Sequence, residues 1–300
     1  MNFLLGRLAN NPAVLACTEQ QAFLSASSLT EEALILAASY AQHPRPMLIV
    51  KNNLYTAQRL AEKLKSLLSP QVCALFSVEE SLRVEAIAAS PEATAEKVET
   101  LNRLLNEDQL ICVTHASALV RYLPSPAQFK LCTIVLKTGM EVSMNELKRT
   151  LIAAGYQQTA RVDQPLCFAS RGGIIDIYSI NSETPVRIEF FDTEIESIRT
   201  FDIATQRTVE VKAETEIVPA SDLLLDDEQI SLIQQRVRRH LESLKSRYTH
   251  GEYEQIEGII DLDMETMRAH LRESRLYPYL RYLDDNSSLI DYCPKAQVFL

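Results

Sequence analysis

The sequence predicts an α/β protein in which a parallel-sheet domain is interrupted by a small antiparallel α+β domain. Over the first 135 residues, short apolar runs alternate with amphipathic helical segments. Period-two runs separated by turn residues then follow, and a charged helical segment begins near Pro219. Alternating strands and helices are typical of a parallel sheet with helices on its faces, whereas short strands joined by tight turns form an antiparallel meander.

The first domain is predicted to comprise residues 1–135. A helix is expected over residues 53–68, because apolar side chains recur there at helical spacing before Pro70. Further helix starts are predicted at Ser77, three residues before Glu80, and at Ser90–Pro91. Short apolar runs predict buried strands. These strands are expected at residues 47–50, 72–76, 109–114 and 130–137.

The second domain is predicted to comprise residues 136–218. Its first element is a helix that begins with Ser143 and Glu146 at capping-box spacing and ends at Gly155. Period-two runs separated by short turn segments then predict an antiparallel meander. Its strands are expected at residues 166–170, 174–178, 186–191 and 195–201.

The third domain, residues 219–300, is predicted to be mostly helical. An amphipathic helix is expected over residues 226–247, and the acidic stretch 252–265 is expected to be a solvated face. Short apolar runs within residues 288–300 are predicted to return to the first domain's sheet, which would make the second domain an insertion. The apolar residues at 298–300 resemble an interrupted strand, so the chain is expected to be part of a longer protein.

The composition favours binding to proteins over binding to nucleic acid. The formal net charge is -10 and the isoelectric point is about 5.1. An acidic surface repels phosphate backbones. The N-terminal apolar stretch is interrupted by Arg7, and no run approaches ~18 consecutive apolar residues, so a cytoplasmic protein is predicted.

No spacing typical of a metal site or a catalytic centre is present. The six cysteines contain no CxxC pair, and the five histidines form no HxxxH or HExxH spacing. Several cysteines lie within apolar runs, which favours buried, reduced thiols. Catalytic residues, metal ligands and a bound cofactor are therefore not expected.

A phosphate-binding loop is also not expected. Such a loop needs glycines, whose backbone amides surround the phosphate, and a lysine. The corresponding stretch, residues 25–32, is small and polar but contains neither glycine nor lysine. Its glutamates, Glu31 and Glu32, would repel a triphosphate but suit a helix N-terminus that binds no phosphate, because that end of a helix carries a partial positive charge. The stretch is therefore predicted to be an ordinary helix cap.

The strand at residues 186–191 predicts a binding surface. Period-two alternation assigns Val186, Ile188 and Phe190 to the core face and places the other three side chains outside. These three are Arg187, Glu189 and Phe191. An exposed aromatic ring beside an arginine is typical of an interface hot spot, although mixed charges on an outer sheet face are also common without function.

Residues 168–178, 185–199 and 201–207 resemble a signature of bacterial transcription-repair coupling factors (Mfd). The segments are FASRGGIIDIY, PVRIEFFDTEIESIR and FDIATQR. The excision-repair helicase UvrB carries a looser version. The resemblance is densest over residues 150–210 and extends more weakly over nearly the whole chain. One departure is Tyr178–Ser179, where the family has Phe-Pro.

The resemblance implies an N-terminal UvrB-like module. The parallel-sheet domain would be a helicase-like fold of the UvrB domain 1a/1b type with a degenerate P-loop, and residues 136–218 would correspond to the UvrA-binding domain 2. The damage-probing hairpin of UvrB has no counterpart, since residues 76–106 are predicted as helices. Matching positions imply contacts to UvrA, and Glu189 and Asp192 are plausible additions to them. The full set is Arg171, Arg187, Glu189, Phe191 and Asp192.

The implied function is recruitment of UvrA in transcription-coupled nucleotide excision repair, without ATPase activity in these residues. In the family, RNA polymerase and double-stranded DNA are bound by other domains. An alternative is an active UvrB-type ATPase or helicase, which requires a working phosphate loop. A third is an acidic scaffold with an unknown partner.

Overall fold

The computed structural model describes residues 2–18, 26, 28–78, 91–269 and 273–300, without the side chains of residues 2, 91 and 274. By its internal contacts the chain divides into two compact units. Unit 1 comprises Met1–Glu80, Thr100–Arg121 and Leu289–Leu300, and unit 2 comprises Ser81–Glu99 and Tyr122–Ser288. Unit 2 therefore interrupts unit 1 in the sequence. The finer limits 1–135, 136–218 and 219–300 stay a prediction.

The elements of the described residues are numbered in chain order. The helices are α1 (Asn2–Arg7), α2 (Pro12–Ala16), α3 (Leu29–Gln42), α4 (Leu54–Leu67), α5 (Pro91–Asn106), α6 (Ala116–Leu119), α7 (Pro126–Leu131), α8 (Met144–Ala153), α9 (Asp227–Leu244), α10 (His250–Arg268) and α11 (Leu289–Tyr292). The strands are β1 (Met47–Lys51), β2 (Cys73–Phe76), β3 (Ile111–His115), β4 (Ile134–Lys137), β5 (Gln157–Gln158), β6 (Cys167–Arg171), β7 (Ile174–Tyr178), β8 (Val186–Phe191), β9 (Glu194–Phe201), β10 (Thr208–Lys212), β11 (Glu214–Ile217) and β12 (Gln297–Phe299). Short 3-10 segments occur at Pro70–Val72, Lys245–Arg247 and Ser274–Tyr282.

Unit 1 contains a parallel sheet with strand order β12-β1-β3-β2. Its central strands, β1 and β3, are almost wholly buried, as their continuous apolar runs predict. The predicted return of the chain to this sheet is confirmed, because Gln297 on β12 pairs with Met47 on β1 in parallel. Helix α4 buries Ala57, Leu60, Ala61 and Leu64 in the same core, which confirms the predicted helical spacing.

The prediction of a buried parallel strand at residues 130–137 is wrong. Residues 130 and 131 end helix α7, whose N-terminus is capped by Ser125 accepting from the Gln128 N–H at 3.1 Å. Residues 134–137 form β4, which pairs antiparallel with β11 in a separate two-stranded sheet. Only Leu136 of β4 is buried. This alternation is that of an antiparallel strand with one face outside the core.

The helix that was predicted to begin at Ser90–Pro91 is confirmed from Pro91 onward as α5. The predicted start at Ser77 depends on Glu80, which lies outside the described residues. Of the stretch 76–106, which was predicted as helices, residues 91–106 are helical, and residues 79–90 are likewise not described. The prediction is wrong at residues 76–78, because Phe76 ends strand β2 and the next two residues are not helical.

Unit 2 contains a six-stranded sheet with strand order β10-β9-β8-β7-β6-β5. Strands β6 to β10 pair antiparallel in succession, which confirms the predicted meander, while β5, β10 and β11 were not predicted. The inward side chains of the central strands share a core with Leu147 and Leu151 of α8. The Ser143 cap of α8 is confirmed, since its hydroxyl accepts from the Glu146 N–H at 3.1 Å.

Gly155, which follows α8, occupies a position that only glycine fits. Its φ is +94°, and an added Cβ would lie 2.8 Å from the Cβ of Ser221. We expect Gly155→Ala to lower the free energy of unfolding by about 2 kcal/mol, because left-handed backbone strain and a steric clash combine there. Denaturant unfolding followed by circular dichroism measures the change.

Gly258 within α10 is the matched control for this substitution. An added Cβ there would meet no heavy atom within 4 Å. Gly258→Ala should stabilise the chain by up to about 1 kcal/mol, since alanine is the better helix former. Equal effects of the two substitutions would contradict the structural explanation.

Helix α9 confirms the predicted amphipathic helix and begins with a capping box between Asp226 and Gln229. The acidic stretch 252–265 lies in α10, and its prediction as a solvated face is wrong at Asp263. That side chain is buried and accepts a hydrogen bond from the Tyr279 hydroxyl at 2.7 Å, with Arg275 as its ion-pair partner. Burial of this carboxylate is tolerated because the segment after α10 supplies a hydrogen-bond donor and a cation for it.

Five of the six cysteines are buried, and Cys132 is half-buried. Burial raises the pKa of the Cys73 thiol to about 12 and that of the Cys293 thiol to about 11. Within the described part of the chain, no helix is both long and apolar enough to cross a membrane. The same residues contain no group of three or more His, Cys, Asp and Glu side chains arranged to hold a metal ion.

Candidate protein-docking surface

The outward side chains of the central strands of the six-stranded sheet lie where the sequence pattern predicts a binding surface. On β8, Val186, Ile188 and Phe190 are buried on the core side. Arg187 and Glu189 are half-buried on the opposite side, and Phe191 is exposed. The predicted division of the strand into two faces is therefore confirmed. We call the outward side the outer face.

Strand register places further side chains on the outer face. Asp176 on β7 and Arg199 on β9 lie directly opposite Arg187 on its two sides. In the same way, Ile174 and Ser197 lie opposite Glu189. Directly opposite residues project to the same side of a sheet, so these side chains form two adjacent rows.

Arg187 is held rigidly within its row. Its Nε and Nη2 atoms donate to the two carboxylate oxygens of Asp176, each at 2.7 Å, and Nη2 also donates to the Gln206 Oε1 at 2.9 Å. Its guanidinium carbon lies 4.3 Å from the centre of the Phe201 ring. The hydrogen bond to Asp176 raises the pKa of Arg187. The arginine is therefore a fixed, charged group, with 20% of its side chain exposed.

The loop after β9 positions Gln206. Asp202 accepts hydrogen bonds from the Thr205 N–H and hydroxyl, both at 2.7 Å, and these bonds lower the pKa of Asp202. Gln206 has a φ of +59°, and its amide donates to the Ile203 carbonyl at 2.9 Å. The turn thus presents the Gln206 carbonyl to Arg187.

Glu189 is also paired within the sheet. Its carboxylate accepts a hydrogen bond from the Ser197 hydroxyl at 2.8 Å and forms an ion pair with Arg199. The two charged side chains that were predicted on β8 therefore each have a partner on a neighbouring strand. The predicted site did not include Asp176 or Arg199. Asp176 could have been identified from the sequence, because it is the one acidic residue in the otherwise apolar run 174–177.

Phe191 is the exposed ring of the outer face. It ends β8, and 74% of its surface is exposed. The chain then turns at Asp192, which is also exposed and has a φ of +58°. Asp192 therefore lies at the rim of the face, in the turn between β8 and β9, and not within the paired rows.

Arg171 ends β6 and is exposed. It lies opposite Ile174, which itself lies opposite Glu189, so Arg171 belongs to the Glu189 row. Gly172, with a φ of +59°, permits the tight turn to β7. Four of the predicted contact residues thus lie on β6 and β8, and the fifth lies in the adjoining turn.

In unit 1, the N-terminus of α3 is capped as predicted. The Ser28 hydroxyl accepts from the Glu31 N–H at 3.2 Å. Glu32 of the same turn forms an ion pair with Lys51 at 2.8 Å. The lysine at the end of β1 is therefore paired with a carboxylate of the helix. Residues 19–25 and 27 lie outside the described chain.

Comparison with known proteins matches part of unit 2 to a domain family. Residues 134–223, which include the six-stranded sheet, match the UvrB interaction domain. The chain is 34% identical over 252 residues to a transcription-repair-coupling factor of Bacillus subtilis (strain 168), covering 83% of this chain and 21% of that protein. A protein of the same description from Staphylococcus haemolyticus (strain JCSC1435) is 28% identical over 284 residues, covering 94% of this chain and 24% of the relative. The chain thus spans between a fifth and a quarter of the length of these relatives.

Proposed function

Because this chain is a relative of the transcription-repair-coupling factors and resembles their N-terminal, UvrB-like part, we propose that it is a docking module that recruits UvrA in transcription-coupled nucleotide excision repair. One observation carries the proposal. The residues that match the UvrB interaction domain form a sheet whose outer face exposes Phe191 beside charges that are already ordered.

Preorganised charges favour specific docking. Ordering side chains at an interface costs roughly 0.5–1.5 kcal/mol for each flexible side chain. Arg187 and Glu189 are already oriented by their cross-strand partners, so this cost is reduced on binding. The Nη1 group of Arg187 makes no hydrogen bond within the described residues. It can therefore donate to a carboxylate or carbonyl of UvrA without breaking the Asp176 pair.

Phe191 supplies the apolar anchor in this proposal. Aromatic side chains at the centre of an interface carry a large share of binding energy when a partner buries them. Arg171, at the end of β6, adds an exposed cation to the same face. UvrA would therefore present an apolar pocket for the ring and acceptor groups for the two arginines.

The proposal includes the absence of ATPase activity in these residues. The start of α3 is already capped by Ser28, and Glu31 and Glu32 place negative charge where a phosphate would bind. Contacts to RNA polymerase and double-stranded DNA, which the resemblance implies for full-length family members, are assigned to other segments. The rival proposal is a UvrB-type ATPase, and it requires nucleotide binding.

Two calorimetric titrations of the purified chain test these proposals. Titration with UvrA should give a Kd in the micromolar range. Titration with ATP and Mg²⁺ up to millimolar concentration should give no binding heat, and no phosphate should be released. No heat with UvrA would overturn the docking proposal. Saturable ATP binding with hydrolysis would instead favour the UvrB-type enzyme.

A further inference from the structure

Strand β10 forms one edge of the six-stranded sheet and exposes apolar side chains to solvent. Val209 is 62% exposed and Val211 is 74% exposed. The flanking residues of the strand, Thr208 and Glu210, are also exposed. Edge strands commonly carry charged or polar groups at such positions, which keep them from associating. Two exposed valines on one short edge strand therefore require an explanation.

Val211 lies on the same face as the paired arginines. It pairs with Arg199 across β9 and β10, and Arg199 pairs in turn with Arg187 on β8. Since directly opposite side chains project to one side of a sheet, Val211 extends the Arg187 row to the sheet edge. The exposed apolar surface of β10 is therefore continuous with the outer face.

The separation between the two exposed apolar groups suits a single interface. Strands are spaced about 4.8 Å apart, and each residue advances about 3.3 Å. Val211 lies two strands from β8, and Phe191 lies four residues beyond Arg187. These spacings place Phe191 and Val211 roughly 16 Å apart on the sheet. A standard interface buries about 800 Å² on each partner, which is enough to cover both groups.

The edge of β10 is poorly suited to the addition of another strand. The register with β9 shifts between Thr208 and Glu210, so Val209 is the extra residue of a bulge. Bulges disrupt the regular ladder and twist an edge away from further pairing. Contact through the side chains of the outer face is therefore favoured over extension of the sheet.

We infer that the docking surface extends across β9 to β10 and that Val211 is a second apolar anchor for the same partner. This inference rests on the proposed function, because the partner is the UvrA that docks on Phe191. The partner would cover the whole Arg187 row, from Asp176 to Val211. Phe191 and Val211 would then contact the partner at two separate points of a surface that also carries the ion pairs of Arg187 and Arg199.

Substitutions at Val211 test the inference with a matched control. Val120, which follows α6 in unit 1, is also 74% exposed. Val211→Thr keeps the branched shape and should weaken UvrA binding about fivefold, and Val211→Asn should weaken it about tenfold. The same changes at Val120 should leave the Kd within about twofold of the unsubstituted chain. Thermal melting of each variant verifies that the sheet is intact, and Val211→Thr serves if Val211→Asn unfolds.

The outcomes separate this inference from the proposed function. Normal binding by both Val211 variants, together with weak binding by Phe191→Ala, would overturn the inference and leave the docking function standing. Equal losses at Val211 and Val120 would also overturn it, because the effect would not belong to the outer face. If the unsubstituted chain does not bind UvrA, the proposed function and the inference both fail.

Discussion

Replacing Phe191 with alanine should weaken UvrA binding about thirtyfold, equivalent to about 2 kcal/mol, without changing the thermal stability of the chain. The ring is 74% exposed, so its removal leaves no cavity in the core. In the proposed complex the same ring is buried by the partner, and its removal costs the apolar contact there. Calorimetric titration measures the Kd, and differential scanning calorimetry measures the melting temperature.

Phe3 provides the control for this substitution. It is 78% exposed in α1 of unit 1, outside the residues that match the UvrB interaction domain. Phe3→Ala should therefore bind UvrA like the unsubstituted chain. Unchanged binding by Phe191→Ala would remove Phe191 from the interface, whereas equal weakening by both variants would point to a general effect of surface apolarity.

Replacing Arg187 with alanine should lower the free energy of unfolding by about 3 kcal/mol. The substitution removes a bidentate ion pair from Asp176, whose side chain is only 17% exposed, and leaves that carboxylate half-buried without a cation. It also uncovers the Phe201 ring, which is otherwise buried beneath the guanidinium. Denaturant unfolding measures the loss.

Arg171 is the matched control, because it is an exposed arginine on the same face. Arg171→Ala should change the free energy of unfolding by less than about 0.5 kcal/mol. Its effect on UvrA binding then reports on the interface alone. If Arg187→Ala has the same free energy of unfolding as the unsubstituted chain, the ion pair with Asp176 contributes nothing to stability.

A charge reversal at Arg187 alone would not separate binding from folding, because it places a second carboxylate against Asp176. An exchange of the two charges, Asp176→Arg with Arg187→Asp, keeps one cation and one anion in the row. We expect it to recover at least half of the lost stability while binding to UvrA stays weak. Recovery of both stability and binding would show that UvrA does not recognise the position of the guanidinium.

Several features of the candidate surface were predictable from local patterns. The alternation of β8 identified which side chains face the core, because a half-buried strand repeats every two residues. The exposure of Phe191 and the position of Arg171 beside a glycine turn follow from the same reasoning. The cap at Ser28 and the helix α4 were likewise predictable, since both depend on neighbours within a few residues.

Pairing between distant segments was not predictable in the same way. The segment at residues 134–137 was interpreted as part of the parallel sheet, yet its partner is β11, about eighty residues later in the chain. Strand β10 is only five residues long, and two of them are charged. Its place at the edge of the sheet was therefore not predicted. Such pairings depend on turn geometry and on competition between strands for partners.

Local patterns in the sequence were enough to predict helix α4, strands β6 to β9, the two faces of β8 and the lack of glycine and lysine in residues 25–32. The pairing of the charges, the covering of Phe201 by Arg187 and the place of Val211 on the same face became known from the three-dimensional structure. The physical reason is that periodicity assigns a side chain to one side of its own strand. Its neighbours on that side belong to other strands, and cross-strand register alone determines which ones they are.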